Sequence, residues 1–154
     1  MLIPMKVDYG VRMLVYLAQR SRSDFASTAD IAAARHIPEP YLLHICSELQ
    51  KAGMIRSRRG PQGGHQLAVA ADQITVSQVV DSLDYSLAPL DCVDDELECT
   101  LSGACAQREM WSDVEKILLQ HLSSVTISEL AIKEAALRSA KRSPVKFPAA
   151  ARLS

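Results

Sequence analysis

Three of the four cysteines in the 154-residue sequence, Cys92, Cys99 and Cys105, fall in one stretch, with six and then five residues between them. Thiolates are soft donors, and several held together suit an iron–sulfur cluster. Structural zinc is the second reading, but zinc sites favour paired cysteines at CxxC-like spacing, which is absent here. A metal-free thiol redox switch is the third. Asp91, Asp94, Asp95, Glu96 and Glu98 crowd the same stretch, and so acidic a segment belongs on a loop near water. The remaining cysteine, Cys46, sits at core spacing in a helical pattern and reads as a small buried hydrophobe.

The elements around these thiols follow from periodicity and punctuation. A helix is expected over 5–20, where Val7, Val11, Leu14 and Leu17 share one face. Ser27 caps a second helix, which stops near His36 because Pro38 disfavours helical geometry at Ile37. A third helix starts with Pro38, Glu39, Pro40 and Tyr41, turns Leu42, Ile45 and Leu49 inward, and ends at Gly53. Two short helices joined this tightly form a helix-turn-helix, whose second helix enters a major groove. Short strands are expected at 54–57 and 66–69, around a tip of Arg58, Arg59, Gly60, Pro61, Gln62, Gly63, Gly64 and His65. Glycine lets such a tip approach a duplex closely, and arginine neutralises phosphate or enters a minor groove. A helix through about Leu83, capped by Thr75 or Ser77, precedes the cysteine loop. A long helix over 106–122 then aligns Met110, Trp111, Val114, Ile117 and Leu118, which suits a seam with a second subunit. A last helix over 129–140 leads to a loose tail. The fold class expected is mainly α, a winged helix-turn-helix over 1–83, a cysteine loop over 84–105, a dimerisation helix and C-terminal helix over 106–140, and a tail over 141–154.

Composition narrows the function classes. The net charge is −1, yet Lys51, Arg56, Arg58 and Arg59 cluster without an acid, while the charges of 91–98 are all acidic. Opposite local signs suit one phosphate-facing edge and one metal-facing loop. No apolar run approaches the roughly 20 residues of a spanning helix, and the N-terminus has no signal-peptide pattern. The expected location is the cytoplasm, where thiols stay reduced. The sequence has no Gly-rich phosphate loop after a strand, no HExxH and no Ser/His/Asp grouping, so an enzyme is not expected. An iron–sulfur electron carrier would leave the Arg59-Gly60 hairpin without a purpose.

Taken in order, the motifs are specific. They are Asp8-Tyr9-Gly10-Val11-Arg12, Ile31-Ala32, Ile37-Pro38-Glu39-Pro40-Tyr41-Leu42, Leu49-Gln50-Lys51-Ala52-Gly53, and the wing signature Arg59-Gly60-Pro61-Gln62-Gly63-Gly64. Ile74-Thr75-Val76, the cysteine triplet, Trp111 and Thr126-Ile127-Ser128-Glu129-Leu130 complete the set. On these residues the chain resembles the Rrf2 family of bacterial transcription regulators over roughly residues 1–135. The resemblance implies a homodimeric winged helix on a palindromic operator of double-stranded DNA. In the cluster-bearing branches, cysteines matching Cys92, Cys99 and Cys105 hold a 2Fe–2S or 4Fe–4S cluster. Those branches answer to cluster supply (the IscR type), nitric oxide (NsrR) or iron (RirA), and the Asp-Tyr-Gly start and the acidic run look more like the latter two.

Two departures bear on the site. The IscR type takes a fourth ligand from a histidine three residues past the last cysteine, where this chain has Arg108. NsrR-like members use an aspartate of the first helix reaching across the dimer, and Asp8 holds that position. The wing, usually Gly-Gly-Tyr, is here Gly-Gly-His65. The ligand set expected is therefore Cys92, Cys99, Cys105 and Asp8. The DNA-contact set expected is Thr28, Pro40, Tyr41, His44, Ser57, Arg59, Gly60 and Gly63, with Arg59 foremost. The expected function is a repressor governed by the cluster, with a thiol-redox or zinc-bound regulator as the alternative.

Overall fold

The computed structural model describes residues 3–83, 85–95, 97, 101 and 104–142. In chain order these form α1 (Met5–Ala18), α2 (Thr28–Arg35), α3 (Glu39–Lys51), β1 (Ile55–Arg58), β2 (Gly64–Leu67), a 3-10 turn (Ala71–Gln73), α4 (Val76–Ser82), α5 (Asp91–Asp94), α6 (Ala106–Ser124) and α7 (Ile127–Arg142). The architecture is mainly helical with one two-stranded wing, as the sequence leads one to expect.

Helix α1 lies at the centre. Its Val7, Met13, Leu14, Val15 and Leu17 are buried, and α2, α3, α4, β2 and α7 all pack against it. Gly10 permits the close approach of α4 and α3. A Cβ placed there would lie 2.8 Å from Leu83 Cδ1, 3.4 Å from Val79 Cγ1 and 3.8 Å from Ile45 Cγ2. The helix-turn-helix is fixed at both ends of α2. Ser27 Oγ accepts from Asp30 N at 3.1 Å, and His36 closes the helix in the left-handed region at φ 54°. Helix α3 then starts on Pro38, buries Leu42, Ile45, Cys46 and Leu49, and is followed by Gly53 at φ +73°.

The wing strands sit closer to the tip than the residue pattern suggests. Ile55–Arg58 pairs antiparallel with Gly64–Leu67, so Arg58 stands opposite Gly64. The tip closes on Gly63 N donating to Gly60 O at 2.9 Å. Neither Gly63 nor Gly64 has room for a Cβ, which would fall 2.1 Å from Arg58 O and 2.2 Å from Ala26 O respectively. Thr75 caps α4 in a complete capping box with Gln78.

Two further elements differ from expectation. The start of the cysteine segment is not loop: Asp91–Asp94 is one helical turn, with Asp91 at its favourable N-terminal end. Helix α7 begins at Ile127, two residues earlier than the pattern suggests, because Thr126 and Glu129 cap it reciprocally at 3.0 and 3.2 Å. A short bridge between Thr75 and Thr126 then returns α7 to α1, and Ile127 and Ala131 enter the core of the N-terminal helices. That return also carries a charge pair. Arg35, 6% exposed, donates to both Glu134 carboxylate oxygens at 2.5 and 2.9 Å, and Gln19 Oε1 accepts a further bond at 3.2 Å.

The apolar stripe of α6 divides. Leu118, Leu119 and Leu122 pack on the core, whereas Met110, Val114 and Ile117 face outward, Ile117 at 67% exposure. Among the described residues no helix is long and apolar enough to cross a membrane. The tail over 143–154 lies outside the described residues.

The hydrogen bond from Arg35 holds the Glu134 carboxyl below the ordinary carboxylate range near 4.5. Its contribution is complete above that ordinary value and is lost as pH falls through the depressed one. Glu134→Ala should cost about 2 kcal/mol at pH 7, short of a fully buried pair because Glu134 remains 31% exposed. Urea denaturation at one protein concentration should show wild type and variant converging as pH drops below about 4.5.

Candidate nucleic-acid interface and metal centre

The exposed face of α3 carries Pro40, Tyr41, His44, Ser47 and Gln50. Burial of Leu42, Ile45, Cys46 and Leu49 leaves these side chains pointing away from the core. Tyr41 packs its ring edge-on to Tyr9, with centroids 6.2 Å apart at 75°. Arg12 stands over the same Tyr9 ring at 5.6 Å and pairs with Asp8 at 2.6 Å. Side-chain contacts therefore run from Asp8 on α1 to Tyr41 on α3.

A second set of contacts fastens the wing to the helices. His65 exchanges backbone hydrogen bonds with Ala26 at 2.8 and 2.9 Å, just ahead of α2. Its ring lies between Thr28 Oγ1 at 3.0 Å and Ser57 Oγ at 2.8 Å, and Ser57 Oγ donates to Gln50 Oε1 at 2.7 Å. Donor counting fixes the tautomer. The single Ser57 hydrogen goes to Gln50, so His65 Nδ1–H donates to Ser57 and Nε2 accepts from the Thr28 hydroxyl. Thr28 and Ser57, named from sequence as separate DNA contacts, are thus joined through a residue that sequence reasoning left as a bystander. Local spacing around His65 holds no sign of this, because the bonds cross 37 and 8 residues.

At the wing tip, Arg59 and Gly60 are exposed, with Gly60 at φ +108° and Gly63 closing the turn. Arg58 is tied back, donating to Gln62 O at 2.6 Å and lying 4.3 Å over the Phe25 ring. Arg59 makes no ion pair with any described residue and projects as the available cation. Cys46, by contrast, is buried against Met13, and that burial pushes its thiol up to about 12, which keeps it inert.

Two of the three clustered thiols are described. Cys92 lies within α5 and Cys105 stands at the residue before α6, both half-buried and both free thiols; Cys99 lies outside the described residues. Arg108, standing where the IscR type has its histidine, donates from Nε to the Cys92 carbonyl at 2.7 Å and so ties α5 to α6. Among the described residues no three ligating side chains converge, and Asp8 is engaged by Arg12. The donor set suits a soft metal group: accessible free thiols on either side of a short acidic segment, with the third between them in sequence.

A helix-turn-helix with a basic, glycine-closed wing beside its second helix defines a winged-helix DNA-binding protein. The chain matches the family described as "Rrf2: Iron-dependent Transcriptional regulator" over residues 3–133. It is 34% identical over 122 residues to protein rrf2 of Nitratidesulfovibrio vulgaris, spanning 79% of this chain and 81% of that one. CymR (YrzC), the global cysteine regulator of B. subtilis, superposes with a TM-score of 0.73 at 28% identity, covering 86% of this chain and 98% of CymR. IscR of T. potens superposes at 0.72 and 28%, covering 94% and 93%. The protein belongs to the Rrf2 family and is a transcriptional regulator, not an enzyme.

Burial lowers the His65 pKa from its ordinary value near 6.5. The unfolded chain then binds a proton that the folded chain resists, so this residue's stabilising effect is complete above about 6.5 and declines as pH falls toward the depressed value. His65→Gln should therefore flatten the loss of stability between about pH 7 and pH 5, measured by urea denaturation across that range.

Proposed function

We propose that this regulator is a homodimeric repressor of a palindromic operator, governed by an iron–sulfur cluster held by Cys92, Cys99 and Cys105, with Asp8 of the partner subunit as the fourth ligand. The DNA contacts in this reading are Thr28, Pro40, Tyr41, His44, Ser57, Arg59, Gly60 and Gly63. The outward Met110, Val114 and Ile117 of α6 form the seam between subunits, which removes an apolar stripe from water. A regulator with reduced thiols acts in the cytoplasm, beside its DNA.

The observation that carries the reading is the contact chain Asp8–Arg12–Tyr9–Tyr41. Asp8 has two claimants, the Arg12 guanidinium within the chain and metal ligation in the dimer. Whichever holds Asp8 sets the place of Arg12 over Tyr9, and Tyr9 supports Tyr41 on the recognition helix. When bound, the cluster supplies an iron-dependent link that oxidation, nitric oxide or iron loss breaks. Arg108 keeps the Cys92 turn against α6, so the state of the cysteine segment bears on the dimer helix as well. A shift of a few kcal/mol between two arrangements is enough to change operator occupancy more than tenfold.

The likeness to CymR favours a second reading, a metal-free thiol regulator on the same fold. Anaerobic purification separates the two. The cluster reading expects coloured protein with iron and sulfide, abolished by Cys99→Ser. It expects a shorter cluster lifetime in Asp8→Ala, followed by visible absorbance. Footprinting with and without the cluster at one salt concentration should show affinities at least about tenfold apart. Colourless, iron-free protein that occupies the operator fully would overturn the cluster reading, and a zinc determination would then separate the thiol reading from the zinc-bound one.

The role given to Arg59 has its own signature. Arg59→Ala should weaken binding evenly across sequences and lower the slope of log K against log salt by about one, measured by anisotropy titrations at several salt concentrations.

A further inference from the structure

Large apolar side chains that remain exposed lie mainly near the termini, along the cysteine segment and on α6 and α7; within residues 6–89 only Tyr41 and Leu43 do so. Tyr41 rests on Tyr9. Leu43, 58% exposed, faces the same groove as Ser47, Gln50 and Lys51 of α3 and Ser57 and His65 of the wing, a groove of about 440 Å³. A leucine left exposed on a recognition helix, lining this groove together with Cys46 and the polar side chains around it, calls for an apolar partner of small size. It is the fifth residue of α3, in the half of the helix that meets base edges in helix-turn-helix proteins. In the major groove the bases present donors and acceptors and one apolar group, the thymine 5-methyl.

We propose that Leu43 reads a thymine 5-methyl group, so that one position in each operator half-site requires T·A. The proposal rests on the reading of the chain as a sequence-specific operator-binding regulator. The polar neighbours divide the remaining work. Gln50 Oε1 is occupied by Ser57, which leaves its amide N–H groups to donate, two helical turns further along the same face as Leu43. Leu43 itself contributes nothing to the core, since the packed face of α3 is made by Leu42, Ile45, Cys46 and Leu49. A change at Leu43 therefore alters recognition without unfolding the helix.

The test starts from an operator selected out of randomised duplexes by the full chain, kept anaerobic. Each thymine is then replaced singly by deoxyuridine, which lacks only the methyl group, and affinity is read by fluorescence anisotropy at low, constant salt. Wild type should lose about three- to fivefold at one position per half-site, the worth of one buried methyl. Leu43→Ala should show a similar loss on the thymine operator and no further penalty with deoxyuridine, while Arg59→Ala keeps the wild-type penalty. Indifference of the wild type to every replacement, or an undiminished penalty in Leu43→Ala, overturns the base contact while leaving the regulator reading intact. Failure to select any sequence overturns that reading, and the base contact with it.

Discussion

Packing at Gly10 is the constraint from which the rest of the arrangement follows. One hydrogen atom in place of a side chain lets α4 and α3 converge on α1 from the same side, with Leu83 closer than van der Waals contact to where a methyl would sit and Val79 and Ile45 at contact distance. The recognition helix takes its height above α1 from that contact. Its tilt comes from the left-handed turn at His36 and the prolines that follow. The wing takes its place from the pair of backbone bonds between His65 and Ala26. Helix, turn and wing are therefore referred to one central helix, and that helix also carries Asp8.

In the proposed dimer, two routes of different character join the cysteine segment to the DNA-facing surface. One runs from the Asp8 carboxylate through the Arg12 guanidinium and the Tyr9 ring of α1 to the Tyr41 ring of α3. The other is mechanical: Arg108 binds the Cys92 turn to α6, α6 packs on α4 through its inner leucines, and α4 sits on Gly10. The return of α7 holds the frame still, since Arg35 cannot leave its buried place without abandoning Glu134.

Much of this was legible in the residues. Proline and glycine act through their own backbone, and a capping serine through its side chain on the first turn, so these residues state where α2 and α3 begin and end. The wing was legible from Arg59, Gly60, Gly63 and Gly64, although its strands pair nearer the tip. That register depends on Gly63 and Gly64 closing against Arg58 O and Ala26 O, a contact no local pattern announces. The same limit hid the bond network of His65 and the pairing of Arg35 with Glu134 across 99 residues. The helical turn at Cys92 was hidden for another reason: four residues carry too little periodicity to register. The division of the α6 stripe into inner and outer halves required knowing which side α4 occupies.

On α3 the residues that build the interior and those that face outward share no position. Leu42, Ile45, Cys46 and Leu49 anchor the fold, and residues 43, 44, 47 and 50 are released from that duty. Drift at the outward positions is close to neutral for folding, so descendants of such a scaffold are able to acquire new target sites one substitution at a time. Diversification of gene control in bacteria then requires no reinvention of the protein that carries it.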